Sequence, residues 1–204
     1  MKLLGIERPL VLAPMGSASG GALAAAVSAA GGLGLIGGGY GHEGDRSLFT
    51  LLPSVKMLNP GLPVLAAGGI ADRRGFEAAR ALGAEGVLVG TRFLASDESL
   101  TAPQAKRRIV EADGDATVRT TVFDIVRGYE WPPRFTGRAL RNRFTAAWHG
   151  RERELARSLS PEKDRYAAAA EKRDFDTAVI FAGEAVNLID SVLPAREIVR
   201  RICG

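Results

Sequence analysis

Short apolar runs alternate with amphipathic or alanine-rich stretches through the first ninety residues. Residues 9–14, PLVLAP, form an apolar run bounded by prolines, the pattern of a fully buried strand. Residues 22–30 are alanine-rich and helical in character, with Gly31 and Gly32 as the stop signal. A second apolar run at 33–36 leads into Gly37, Gly38 and Gly39. Residues 47–58, SLFTLLPSVKML, carry Leu48, Leu51, Leu52, Val55 and Leu58 at helical spacing, with Pro53 predicting a kink or a late start. Asn59, Pro60 and Gly61 spell a turn. Residues 63–67, PVLAA, predict a third strand. Asp72 is placed to cap a helix that runs to Leu82 and stops at Gly83. Residues 86–89, GVLV, predict a fourth strand. Strands alternating with helices of about ten residues imply βαβ units and a parallel sheet covered on both faces.

Beyond Phe93 the pattern changes. Residues 103–112 predict a helix, and the β-branched stretch 117–125 predicts strand pairing. Trp131, Pro132 and Pro133 mark a break. Residues 139–159 and 161–172 predict polar helices, and a last helix begins near Pro194. This divides the chain into a parallel βα part, residues 1–100, and a mainly helical segment packing on it, residues 101–204.

Composition alters this picture little. Of 204 residues, 46% are hydrophobic and 25% charged, within the range of globular proteins. Twelve of the 25 glycines fall in the first 44 positions, which points to tight turns near a bound group. The net charge of +4 permits anionic ligands. Seven arginines lie between Arg134 and Arg157, a pattern read as a solvated helical face. No nucleic-acid module accompanies them. A single cysteine, Cys203, excludes an internal disulfide and a cysteine-based zinc site, and no metal ligand set is expected. No apolar run reaches the roughly 18 residues of a membrane span, and the first residues lack a signal-peptide core. The expectation is a cytoplasmic protein without a membrane partner.

Candidate chemistry concentrates at strand ends. Gly68-Gly69-Ile70 follows the third predicted strand and Gly90-Thr91-Arg92-Phe93 the fourth. A phosphate needs several backbone N–H groups aimed at it, and glycine lets the backbone approach that closely. Each glycine pair alone reads equally as a turn. Together, 21 residues apart, they match the phosphate site after the last two strands of a βα barrel. Met15, at the end of the first strand, offers a polarizable surface for a flat ring, or equally a core methionine.

The segments PLVLAPMG, AGGLGLIGGG, GHEGDRSLFTLLP, PVLAAGGIADRRG, LGAEGVLVGTRF and FAGEAVNLID resemble, in this order, the nitronate monooxygenases, formerly called 2-nitropropane dioxygenases. The resemblance implies an FMN-dependent βα barrel that oxidises alkyl nitronates or nitroalkanes with dioxygen. It implies that Gly69 donates to the FMN phosphate and that Leu88, Val89, Gly90 and Thr91 wrap it. It places Met15 and the backbone of Gly16 against the isoalloxazine ring and Gly41 beside it. It makes His42 the catalytic histidine, able to take the α-proton of a nitroalkane. His149 is read as structural.

This chain departs from the family pattern in one respect. A long stretch carrying several βα units normally separates the second strand from the histidine loop. Here Gly39 lies three residues from His42, with Tyr40 where a glycine is usual. Four barrel strands are counted, against eight in a closed barrel. The fold class expected is therefore α/β: an incomplete TIM-type (βα) barrel with parallel strands plus a helical C-terminal segment. Its two strand edges are left open, which admits a homo-oligomer. Two alternative functions stay open: an enoyl-thioester reductase-like flavoprotein, and a non-catalytic phosphate- or FMN-binding remnant.

Overall fold

A computed structural model describes residues 5–13, 15, 21–34, 47–58, 60–61, 63–132 and 135–204. Three parallel strands form its centre: β1 (Leu10–Leu12), β2 (Leu65–Ala67) and β3 (Gly86–Val89), in the order β1-β3-β2. Leu33 extends the row as a parallel bridge to Val11. It accepts from the N–H of Leu12 and donates to the carbonyl of Leu10, both at 2.9 Å. The row therefore reads Leu33, β1, β3, β2. The first and last strands of the βα part are neighbours, as they are in a closed barrel, but the row does not close among the described residues. Of the expected strand at 33–36, Leu33 and Gly34 are described and residues 35 and 36 lie outside the described residues.

Helices cover this row. α1 (Gly21–Ala29) leads back to Leu33, and α2 (Leu48–Leu58) leads into β2, running through Pro53. α3 (Arg73–Ala81) joins β2 to β3. Its cap is the expected one: the Asp72 carboxylate accepts the Gly75 N–H at 2.9 Å. Glu85 ties three elements together. Its carboxylate accepts the Val64 N–H at 2.6 Å and pairs with Lys56 of α2 at 2.9 Å, and both interactions hold its pKa below the usual carboxylate value. The apolar strands Leu10, Leu12, Val87 and Val89 form the core with Leu23 and Val27 of α1 and Phe76 and Ala79 of α3.

After β3 come α4 (Thr91–Leu94) and α5 (Pro103–Glu111), then a lobe that departs from the sequence expectation. Strand β4 (Thr117–Thr120) covers only the first part of the expected 117–125 stretch, and the rest is helix α6 (Val122–Arg127). The start of the expected 139–159 helix is instead strand β5 (Gly137–Leu140), antiparallel to β4. The remainder splits into α7 (Arg143–Trp148) and α8 (Glu152–Arg157), separated at Gly150, whose φ is +84°. Helix α9 (Leu159–Glu171) follows. The lobe has its own core, in which Phe123 stacks on Phe144 at 5.6 Å beside Tyr166. Within the basic run Arg138, Arg143 and Arg151 pair with Glu184, Asp176 and Glu154, as a solvated charged face would.

Helix α10 (Ala195–Cys203) returns from the lobe to the first core, where Ala195, Ile198, Val199 and Ile202 are buried. It packs on both α1 and α3 and so covers the β1–β3 pairing. The lobe is thus inserted between β3 and the helix that covers it. Cys203 is half-buried there, and burial pushes its thiol up to about 11.

Asp124 of α6 is buried against the lobe core, and burial raises its pKa while Arg127 pulls it down less. A carboxyl whose folded pKa is raised contributes most below its ordinary value of 3.8, and that contribution is lost as pH rises through the folded pKa. Asp124→Asn should therefore raise the urea midpoint at neutral pH, and the difference from the parent should vanish in acid below that ordinary value. An unchanged midpoint at neutral pH would show that the ionised carboxylate is fully compensated.

Candidate functional site: a glycine rim at the carboxyl ends of the parallel strands

All three parallel strands end on the same side, so Ala13 and Met15, Gly68 and Gly69, and Gly90 and Thr91 share one rim. Neighbouring strands lie about 4.8 Å apart, which brings these three loops within reach of one small group. Gly68 and Gly69 both adopt left-handed backbone, with φ of +103° and +73°. Among the described residues, a Cβ built on either would meet nothing within 4 Å, so open space lies over them there. A glycine bend of this kind can aim successive backbone N–H groups at one anion.

Gly90 has an ordinary φ of −113° and makes no side-chain cap at the start of α4. A Cβ there would stand 3.2 Å from the Ala13 Cβ and 3.5 Å from the Met15 Sδ. Gly90 therefore stands close against the end of β1 at the rim. Met15 is buried in the first core and touches this point with its sulfur. The structure thus brings together Met15, Gly90 and Thr91 from β1 and β3, with Gly69 at the end of the adjoining strand. Val89 points its side chain into the core, and its carbonyl accepts the Ala13 N–H at 2.8 Å. Leu88 is half-buried in the same strand. Gly16, Gly41 and His42 lie outside the described residues.

Sequence reading missed one contact. The Thr91 hydroxyl accepts the backbone N–H of Gly183 at 2.9 Å, 92 residues away. Accepting leaves the hydroxyl hydrogen available to donate. A Cβ on Gly183 would come within 3.3 Å of that oxygen, so glycine there allows the approach. The signal was present in the FAGEAVNLID segment, but nothing local says what its glycine meets. Arg92, the next residue, is not a rim cation: it is buried and donates to the Ser191 carbonyl at 2.9 Å. Its Nη1 has no hydrogen-bond partner among the described residues, and burial lowers its pKa. His149 stands away from the rim, 3.3 Å from the Thr120 hydroxyl and 3.8 Å from Glu152, in keeping with its structural reading.

The family model described as nitronate monooxygenase matches residues 41–204, four-fifths of the chain. The chain belongs to the nitronate monooxygenase family. These are flavin-using oxidoreductases, in agreement with the sequence resemblance. Nitronate monooxygenase npaC of Metarhizium robertsii is 36% identical over 178 residues, covering 82% of this chain and 48% of that protein. The chain thus spans about half the length of the curated relatives it matches. Among solved structures, FabK from Thermotoga maritima superposes with a TM-score of 0.80 at 25% identity, over 98% of this chain and 93% of that one. Nitroalkane oxidase from Streptomyces ansochromogenes superposes with a TM-score of 0.76, over 98% of this chain and 96% of that one. At 20% identity that likeness concerns the fold. The fold is an incomplete version of the barrel these flavin proteins use.

The residues present fit the phosphate end of a flavin nucleotide. The two left-handed glycines with open space above them among the described residues, and a third glycine whose Cβ would press on Ala13, form a cradle that side chains would fill. Among the described residues no helix is long and apolar enough to cross a membrane.

Proposed function

We propose that this chain binds FMN at the glycine rim and oxidises alkyl nitronates or nitroalkanes with dioxygen as acceptor. The observation that carries the reading is the convergence of Gly69, Gly90 and Thr91 on one rim in a chain of this family. Backbone N–H groups of Gly69 and Gly90 hold the phosphate, and the Thr91 hydroxyl donates to it while Gly183 fixes its orientation. Leu88 and Val89 shape the strand beneath. By the family resemblance, Met15 and Gly16 would support one face of the ring and Gly41 would adjoin it. His42 takes the α-proton of the nitroalkane, a task suited to an imidazole near neutral pKa. A bound flavin would supply the redox chemistry, carrying electrons between the substrate and dioxygen. The place of action proposed is the cytoplasm.

The visible absorption of the purified chain, with and without added FMN, tests this first. Flavin bands near one per chain, followed by nitronate-dependent oxygen uptake, are the expected result. His42→Ala should then lower turnover by at least about 100-fold, the usual size of a general-base contribution, with flavin retained. Flavin reduction by NADH without nitronate turnover would favour the enoyl-thioester reductase-like reading. Retained flavin with neither activity would favour the non-catalytic remnant, and no retained flavin would overturn the cofactor site itself.

A further inference from the structure

The geometry points to a two-fold dimer in which two copies of this chain close one eight-stranded barrel. Among the described residues the row Leu33, β1, β3, β2 contains four parallel ladder positions with two outer edges. Eight is the number that closes a βα barrel whose interior side chains just fill. The two edges are unlike: one is the Leu33 position and the other is β2. A two-fold axis along the barrel keeps all strands parallel and sets β2 of each copy beside the Leu33 position of the other. Both seams close at once, so the contact is a ring of two and not an open chain.

Two further observations fit a second copy. The outer edge of β2 has backbone groups to offer. The Val64 carbonyl accepts from Glu85 at 3.0 Å, so by strand alternation Val64 and Ala66 address β3 while Leu65 and Ala67 address the outside. Among the described residues no strand pairs with that side. Such an edge is a template for another strand. The helix leading into this edge, α2, is rich in large apolar residues, yet among its described residues only Leu52 is buried. Phe49, Met57 and Leu58 are 68%, 77% and 80% exposed. In the closed ring α2 lies over the seam beside α1 of the other copy, whose Ala22, Ala25 and Ala29 are exposed and small. Large side chains against a small-residue face make a complementary contact. The occupant is a second copy because the described residues of each copy supply four of the eight parallel positions that close a βα barrel. The rim is half a circle in one copy, and the partner supplies the other half.

Sedimentation equilibrium and hydrogen exchange test this without reference to flavin. The expected result is a particle of twice 21.6 kDa, with slow exchange at the Leu65 and Ala67 amides. Ala67→Pro removes an outward N–H, a change tolerated at a free edge. The double variant Phe49→Lys/Met57→Lys alters only exposed side chains. Each should raise the dimer dissociation constant at least about ten-fold, roughly 1.4 kcal/mol, with far-ultraviolet circular dichroism retained. A monomer at every concentration overturns the proposal, and so does a dimer that neither variant weakens. If Ala67→Pro does not fold, the lysine pair alone decides.

Discussion

Gly90→Leu is expected to leave a folded protein that no longer retains flavin. The backbone at Gly90 has φ of −113°, which any residue adopts, so the substitution carries no left-handed strain. A Cβ would stand 3.2 Å from the Ala13 Cβ and 3.5 Å from the Met15 Sδ, close enough to need small adjustments of a few tenths of an ångström. The rest of the leucine has to leave this crowded point, and the open side is the rim. There it displaces the phosphate and covers the N–H groups at the start of α4. An affinity loss of at least about ten-fold, roughly 1.4 kcal/mol, is expected in an FMN titration. The flavin-free Tm should move little. Equal flavin occupancy in parent and variant would remove Gly90 from the site. Gly69→Ala makes the informative contrast. Its φ of +73° costs a non-glycine residue about 1–2 kcal/mol of stability, while space around its Cβ is open.

The second large effect concerns the fold. Gly34→Ala should destabilise the protein by roughly 3 kcal/mol, the upper part of the usual range for overpacking. A Cβ there would lie 1.9 Å from the Ala24 carbonyl oxygen and 2.7 Å from its Cα, in the middle of α1. A backbone neighbour cannot rotate aside, so α1 has to lift from Leu33 and β1. For a chain of this size the expected fall in Tm is on the order of 6–12 °C, read by thermal denaturation. Gly61→Ala is the control, since a Cβ at Gly61 meets nothing within 4 Å among the described residues. Similar Tm values for the two variants would show that α1 yields at little cost.

The parallel part of this fold was legible because each element is marked locally. Buried strands of apolar residues end in glycines, and Asp72 caps its helix as its position implies. The lobe was not legible to the same degree. Residues 137–140, GRAL, are too short and mixed to show a period of two, and they lead straight into helical residues. Val122 to Val126 are apolar but for Asp124, a pattern that suits a strand or a buried helix, and packing on Phe144 and Tyr166 decides for the helix. The same division holds at the site. Gly69 and Gly90 announce themselves because close backbone approach demands glycine. The Thr91–Gly183 bond spans 92 residues and has no local signature.

The place of the lobe in the chain bears on how this scaffold can change. Its two attachment points touch: Ser96 and Leu193 form a parallel bridge, and the Asp97 N–H donates to the Leu193 carbonyl at 3.0 Å. A segment that leaves and rejoins at one spot can be lengthened, shortened or exchanged without altering the register of the strands or the seat of α10. The lobe behaves as a cassette on a fixed frame. Through Gly183 it also rests a finger on Thr91, so the remodelling of a distant, tolerant cassette is felt at the least tolerant point of the rim.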